Sequence, residues 1–394
     1  MKLQTFILLL STTAVAQANP PSFESIVREI ASNNPELAVE AQKANLGIAE
    51  ISTENNLQDP EVEFTSVWGQ KGVGNKWDLS VSQSFEWPGV YGSRNKEKEL
   101  TTEAAAYLIK SKESEIHNRI RQSLIDLINA RQLVELNAAA LRNLDSLYKY
   151  YDKALDLGEI SRLDVNKIKL ERISVSRQLA DASVLLTDAT DRLRQLNGGK
   201  SCENLTKGLT RFPSSPLRPA ESYLAEAQSV NPDLKYNNKV NDIFLQKEKT
   251  LKLSRWPGLK IGYTHEYEIG DHFNGFTVGL TLPFFSNRKK QAVIEKQKSL
   301  LHAENNKLMV DQSTQILADH AKARRLMEEI QLYRPLIESK EAEELLGKAL
   351  DARHISVLTY IQEMNYYLEA RADYIDLLYQ YNLLLVQLER YSAQ

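Results

Sequence analysis

What this sequence lacks narrows its function quickly. One cysteine, Cys202, in 394 residues allows no internal disulfide framework, and no cysteine stands at the expected leader cleavage site to carry a lipid. No stretch after the leader approaches the run of about 18 apolar residues that a membrane-spanning helix needs, so any membrane span has to be a β-barrel. Charge of neither sign dominates: 49 Lys and Arg against 52 Asp and Glu leave −3, which gives no footprint for nucleic acid. The six histidines (His117, His265, His272, His302, His320 and His354) are scattered, without HExxH or paired Cys/His spacing. A phosphate-binding glycine loop, a nucleophile elbow and a pocketed carboxylate pair are missing as well. No catalysis, no cofactor and no metal site are therefore expected. His265 and His272 flank Glu266, Glu268 and Asp271 around a hairpin; a transient metal-binding surface there is the alternative to the solvated state usual for loop histidines.

Glycine and proline are sparse in a telling pattern. Residues 94–157 contain neither and read as one helix of about 95 Å at 1.5 Å per residue. Residues 287–352 read as its counterpart, about 100 Å long, with one kink expected at Pro335. Each is followed by a tight turn and a shorter helix, 161–196 and 356–391. Heptad-type spacing runs through Ile120, Leu124, Leu127, Val134, Leu141, Leu144, Tyr148, Tyr151 and Leu155. It runs likewise through Val165, Ile168, Val175, Leu179, Ala182, Leu186, Ala189, Leu193 and Leu196, as in helices that pack lengthwise.

The chain is also written twice. Asn34-Pro35-Glu36-Leu37 returns as Asn231-Pro232-Asp233-Leu234, and the segment from Lys153 to Leu163 returns from Lys348 to Leu358. Each copy reads as helix, two strands, long helix, turn, helix; the first helices are expected over 22–58 and 220–254. The opening residues have a basic start, an apolar core and a small-x-small end at Ala16-Gln17-Ala18, as in an export leader. The expected organisation is a signal peptide 1–18, a first repeat 19–197 with its hairpin at 61–87 and turn at 158–161, and a linker or equatorial segment 198–219. A second repeat 220–394 has its hairpin at 259–285 and turn at 352–356.

The strands give the sharpest signal. Trp77, Leu79, Val81, Gln83, Phe85 and Trp87 alternate with Asp78, Ser80, Ser82, Ser84 and Glu86. Leu259, Ile261, Tyr263, His265, Tyr267 and Ile269 do the same, as do Phe276, Val278, Leu280, Leu282 and Phe284, and Val62, Phe64 and Trp68 sketch a fourth strand. Glycine-rich turns are expected at 69–75 and 270–275. The strand lengths suit a tilted bilayer crossing. Trp68, Trp77, Trp87 and Trp256, with Phe284 and Phe285, sit at strand ends as an aromatic girdle does. Leu79, Val81, Phe85, Ile261, Tyr263, Val278, Leu280 and Leu282 are the expected lipid-facing residues. Four strands cannot close a membrane barrel, and lipid tolerates no open edge, so the edges must pair with other copies of the chain. Three chains would give twelve strands.

This duplicated unit, with its long helices and two amphipathic hairpins, resembles the TolC-like outer-membrane efflux proteins over essentially all of the chain after the leader. The most specific elements are the N-P-[ED]-L openings, the Gly158-x-x-Ser161-x-Leu163-Asp164 turn, and the segment from Gln83 to Arg94 with its Pro88-Gly89 pair. That last segment is similar to the cation-efflux, CzcC-like branch. The resemblance implies a mostly α fold with a small β part: a homotrimer whose twelve-stranded barrel lies in outer-membrane lipid and whose helical hairpins form a periplasmic α-barrel. It implies an exit duct for small solutes, heavy-metal cations or drugs, fed by an inner-membrane pump through a periplasmic adaptor. The same family uses its helix-turn-helix tips as gate and docking surface. Here those positions are Gly158, Ser161, Leu163 and Asp164, and Arg353, Ser356, Leu358 and Thr359.

The chain departs from the family pattern after the second tip, where Thr359 and Gln362 stand in place of the acidic residues with which some members narrow the pore. The copies also differ from each other: Gly158 matches Arg353, Asp164 matches Thr359 and Ala140 matches Pro335. Two other readings remain open on the residues alone. One is a duct for type I protein secretion or polysaccharide export, since the lumen positions are merely polar. The other is a soluble periplasmic coiled-coil or adaptor protein, whose strands would bury their apolar faces against helices of the same chain.

Overall fold

The computed structural model describes residues 22–70, 74–158, 160–283, 288–339 and 341–391. The leader expected over 1–18 lies outside them. The chain is mostly helical, with one four-stranded antiparallel sheet. In order come α1 (Phe23–Ser32), α2 (Pro35–Thr53), β1 (Glu61–Trp68), β2 (Asn75–Phe85), α3 (Pro88–Asp156), α4 (Arg162–Leu196), α5 (Glu203–Thr206), α6 (Ala220–Val230) and α7 (Pro232–Leu253). Then follow β3 (Gly258–Glu268), β4 (Asp271–Thr281), α8 (Arg288–Glu338), α9 (Glu341–Asp351) and α10 (Val357–Leu388), which ends in a 3-10 turn at Glu389–Tyr391. Among the described residues no helix is long and apolar enough to cross a membrane.

Several boundaries differ from the sequence expectation. The first helix of each copy is two helices, divided at Asn34-Pro35 and at Asn231-Pro232. Proline has no N–H to continue the upstream helix and pushes the preceding residue out of the helical region. The Asn side chain then caps the next helix, Asn34 Oδ1 accepting from Glu36 N at 2.9 Å and Asn231 Oδ1 from Asp233 N at 2.8 Å. The duplicated N-P-[ED]-L signature is thus a helix-restart device. Its acid is also held: Arg119 donates to both Glu36 oxygens at 2.9 and 2.8 Å, and Ser111 donates to Asp233.

The long helix starts six residues earlier than expected, because Pro88 fits the first helical turn and Trp87 O accepts from Val90 N at 2.9 Å. In the second copy Pro335 lies within α8, which ends three residues later, so two helices replace the single kinked one.

The chain divides into two compact units, one formed by residues up to 33 with Ser123–Pro213, the other by Asn34–Gln122 with Ser214–Gln394. In the first unit, the end of α3 runs antiparallel to α4. Arg192 pairs with Asp126 at 3.5 Å and Arg172 with Asp145 at 2.6 Å, while Arg172 also lies over the Tyr148 ring. The α4 residues Val165, Ile168, Val175, Ala182, Ala189, Leu193 and Leu196 are buried, as their spacing predicts. Helix α4 ends at Gly198, whose φ of 64° and carbonyl contact leave no room for a side chain: a Cβ there would stand 2.6 Å from Asn33 O. Cys202, beyond it, is buried with its thiol directed at Leu193 O, 3.5 Å away, and burial pushes that thiol up in pKa.

The second unit packs α8 against α10 and α6 through Ile316, Ala323, Ile330, Tyr374, Tyr381, Leu385 and Tyr223. Helix α7 runs antiparallel to α8, with Asn237 to Asn305 at 2.7 Å and Lys298 to Glu248 at 3.1 Å. The whole sheet belongs to this unit.

Candidate membrane-spanning sheet and helical tips

Side chains alternate strictly along a strand, so which residues share a face depends on the register between strands. Here the order is β1-β2-β3-β4, with Phe64 opposite Leu79, Leu79 opposite His265, Val81 opposite Tyr263, Tyr263 opposite Phe276, and Ile261 opposite Val278. The four apolar rows therefore fall on one face: Val62, Phe64, Leu79, Val81, Phe85, Leu259, Ile261, Tyr263, Phe276, Val278 and Leu280. Among the described residues no helix of the unit covers that face. Phe276 is 85% exposed, Val278 71% and Trp68 78%, an apolar surface far more continuous than a water-facing sheet carries.

The opposite face is polar and ion-paired. It holds Lys76 with Glu266 and Glu268, and Lys260 with Glu61 at 2.7 Å. Among the described residues β1 and β4 each pair on one side only, leaving two open edges.

Tryptophans mark both ends of this surface. Trp68 and Trp77 lie beside the hairpin turns, with Trp77 stacked on Tyr267 at 5.8 Å. Trp87 and Trp256 lie where the strands meet the helices, stacked on each other at 5.2 Å. Ten residues separate Trp77 from Trp87, roughly 33 Å along a strand. Phe284 and Phe285 fall outside the described residues, and Leu282 is exposed just past the end of β4.

One turn is shorter than the sequence suggested. The glycine-rich stretch 270–275 is not a loop. Ile269 and Gly270, with φ of 49° and 104°, close a two-residue hairpin, and strand pairing resumes at once with Glu268 opposite Asp271. Residues 271–275 are therefore strand, which places His272 and Asn274 on the same face as His265.

At the strand-to-helix junction, Arg94 pairs with Glu86 at 2.5 Å and Tyr91 OH accepts from Glu86 N at 3.0 Å, so the segment around Pro88-Gly89 is tied back on itself. A cavity of about 570 Å³ opens beside it, lined among others by Glu54, Glu86, Arg94, Glu97 and Lys247. Glu97 is 6% exposed and accepts from Thr250, and burial holds its carboxyl above the ordinary range. Spacing gave no hint of this acid, since only the packing of α3 on α7 buries it.

The two helical tips, one in each unit, share a local design. Gly158 ends α3 with φ 75° and donates to Leu155 O at 3.0 Å; Arg353 ends α9 with φ 56° and donates to Leu350 O at 2.9 Å. His354 N reaches Ala349 O at 2.9 Å, so the second tip closes as a full Schellman turn despite its arginine. Glu159 of the first tip is outside the described residues. Ser161 then caps α4, accepting from Asp164 N at 3.2 Å and donating to Asp164 Oδ2 at 2.6 Å. Ser356 caps α10, accepting from Thr359 N at 3.1 Å, with the two hydroxyls 2.9 Å apart. Thr359 thus occupies the position of Asp164 in the cap as well as in the alignment of the copies. Leu163 is exposed and Leu358 half-buried.

Among the described residues no group of three His, Cys, Asp or Glu side chains is placed to hold a metal ion. What the geometry defines is a sheet with one uncovered apolar face, two open edges and long helical arms. This is the fold of the outer-membrane channels. The chain superposes on a membrane protein from Pseudomonas aeruginosa with a TM-score of 0.76 and 14% identity, covering 94% of this chain and 92% of that one. It is similar to CusC, studied for folding and transmembrane channel formation, with a TM-score of 0.73, 14% identity and coverage of 94% and 91%. It is similar also to the open state of the Neisseria gonorrhoeae MtrE outer membrane channel, with a TM-score of 0.74, 12% identity and coverage of 94% and 88%. The latter two are channel proteins. No protein-family profile and no curated protein matches the chain.

Proposed function

We propose that this protein is a TolC-like exit duct in the outer membrane of a two-membrane envelope, passing small solutes outward from an inner-membrane pump by way of a periplasmic adaptor. The observation that carries the reading is the apolar face shared by all four strands and left uncovered by the described helices of their own unit. A soluble coiled-coil or adaptor protein would have to bury that face. Lipid is the solvent in which it is stable, and lipid requires the open edges of β1 and β4 to be paired. Pairing β4 of one chain with β1 of the next closes a ring, and three copies give a twelve-stranded barrel in the size range of known membrane barrels. The fold shared with outer-membrane channels supports the same assembly.

In this reading residues 1–18 are the export leader, and the two repeats, 19–197 and 220–394, each give the barrel one hairpin and the periplasmic duct one helical arm. Trp68, Trp77, Trp87 and Trp256 sit at the two membrane interfaces. The tips at Gly158, Ser161, Leu163 and Asp164 and at Arg353, Ser356, Leu358 and Thr359 form the gate and the adaptor-docking surface. Long hairpin tips are exposed, and the leucine of the first one lies bare to solvent. Within the family, the Gln83–Arg94 segment favours the cation-efflux branch, with heavy-metal cations as cargo.

The test is membrane fractionation followed by native mass measurement in detergent. A detergent-requiring trimer from the outer-membrane fraction is expected. A monodisperse water-soluble monomer would refute the proposal.

A further inference from the structure

The short turn at Ile269–Gly270 brings two histidines together on the strand ladder: His265 faces Asn274, and His272 faces Tyr267 two pairs along, on the same face. His272 Nδ1 lies 3.3 Å from His265 Nε2, and the rings stack at 5.3 Å with 26° between their planes. The other nitrogen of His265 is anchored, with Nδ1 2.8 Å from Asn274 Oδ1, which also accepts from Tyr263 OH at 2.6 Å. An amide oxygen only accepts, so His265 carries its proton on Nδ1 and turns the Nε2 lone pair toward His272.

We propose that His265 and His272 form a two-imidazole binding site for a borderline divalent cation of the zinc type, on the apolar face at the hairpin end of the sheet. Two metal–nitrogen bonds of about 2.0 to 2.1 Å at a tetrahedral angle set their nitrogens about 3.3 to 3.4 Å apart, which is the separation already present. Asn274, backed by Tyr263, supplies the outer hydrogen bond that fixes ring orientation in metal-ligating histidines. Trp77 and Tyr267 wall the pair, their rings 5.4 Å from His265 and 5.2 Å from His272. No third His, Cys, Asp or Glu among the described residues completes the set, so water fills the remaining positions and binding is reversible. To ligate through Nδ1, His272 moves its proton to its solvent-facing Nε2. The site does not depend on the channel reading, since it rests on the β3–β4 hairpin and Trp77 of the neighbouring β2.

The probe is Zn²⁺ alone, measured by equilibrium dialysis against the full mature protein in detergent. One saturable ion per chain is expected. His265→Ala and His272→Ala should each weaken binding at least tenfold, Asn274→Ala by about 10- to 100-fold, and His354→Ala not at all. X-ray absorption at the zinc edge of the unmutated protein should count two imidazoles, a readout that needs no variant to fold. No saturable binding, fewer than two imidazole ligands, or an affinity unmoved by both histidine variants would overturn the proposal.

Discussion

Adjacent residues on one strand provide the most discriminating test of the membrane reading. Val278 lies on the apolar face opposite Ile261, between Phe276 and Leu280; Thr277 lies on the polar face opposite Gly262, between Gly275 and Gly279. Both are exposed in the isolated chain. In water, an arginine at either position would change stability by no more than about 0.5 kcal/mol, since neither buries anything the substitution removes. In a bilayer the two diverge. An arginine on the lipid face near the midplane costs about 2 to 4 kcal/mol, which at about 1.4 kcal/mol per tenfold is roughly a 30- to 700-fold loss in the folding constant. Thr277→Arg meets three glycines and a polar surface, and should stay within about 0.5 kcal/mol. Urea unfolding of both variants in lipid vesicles, followed by tryptophan fluorescence, measures the difference. Equal effects, or a Val278→Arg variant within 0.5 kcal/mol of the parent, would refute the assignment of this face to lipid.

The tips should respond to their caps. Ser161→Ala and Ser356→Ala are each expected to cost about 1 kcal/mol, read as faster amide exchange in the first turns of α4 and α10. Arg353→Gly relieves a positive φ and should stabilise the second tip by up to about 1 kcal/mol. Two carboxylates set opposite pH trends. Hydrogen bonds from Arg119, reinforced by its charge and that of Lys112, hold Glu36 below the carboxylate value of 4.5. Its contribution is present above that value and lost as pH falls through the lower folded pKa, so Glu36→Gln should flatten the stability profile on the acid side. Burial holds Glu97 above 4.5, so the native state keeps its proton longer than the unfolded chain, and stability falls as pH rises through that window. Glu97→Gln should therefore be more stable than the parent at neutral pH, measured by urea titration at a series of pH values; a loss there would contradict the sign.

Much of the fold was legible in the residues because the signals are local. Strand parity fixes the face of each side chain, so the alternation from Trp77 to Phe85 and from Phe276 to Leu280 announced an amphipathic sheet before any pairing was known. Helical spacing marked the α4 residues that are buried, and Ser161 and Ser356 announced the starts of their helices. Local reading failed where the deciding contact lies elsewhere. The Asn-Pro pairs were legible as repeat markers but not as breaks, since apolar spacing continues across them. The stretch 270–275 looked like a loop because it is glycine-bounded. It is strand because β3 pairs with it through a turn that uses a positive φ at Ile269, a residue that sequence alone would not place there.

By itself, then, the sequence determined most of the elements and their amphipathic faces, properties of neighbours along the chain. Tertiary structure alone decided the register that merges four apolar rows into one uncovered surface. It also decided the burial of Glu97 between α3 and α7, the Arg119 clasp on Glu36, and the meeting of His265 with His272. Each of these depends on which distant residue stands opposite, and a one-residue shift in a strand would have sent every side chain to the other face.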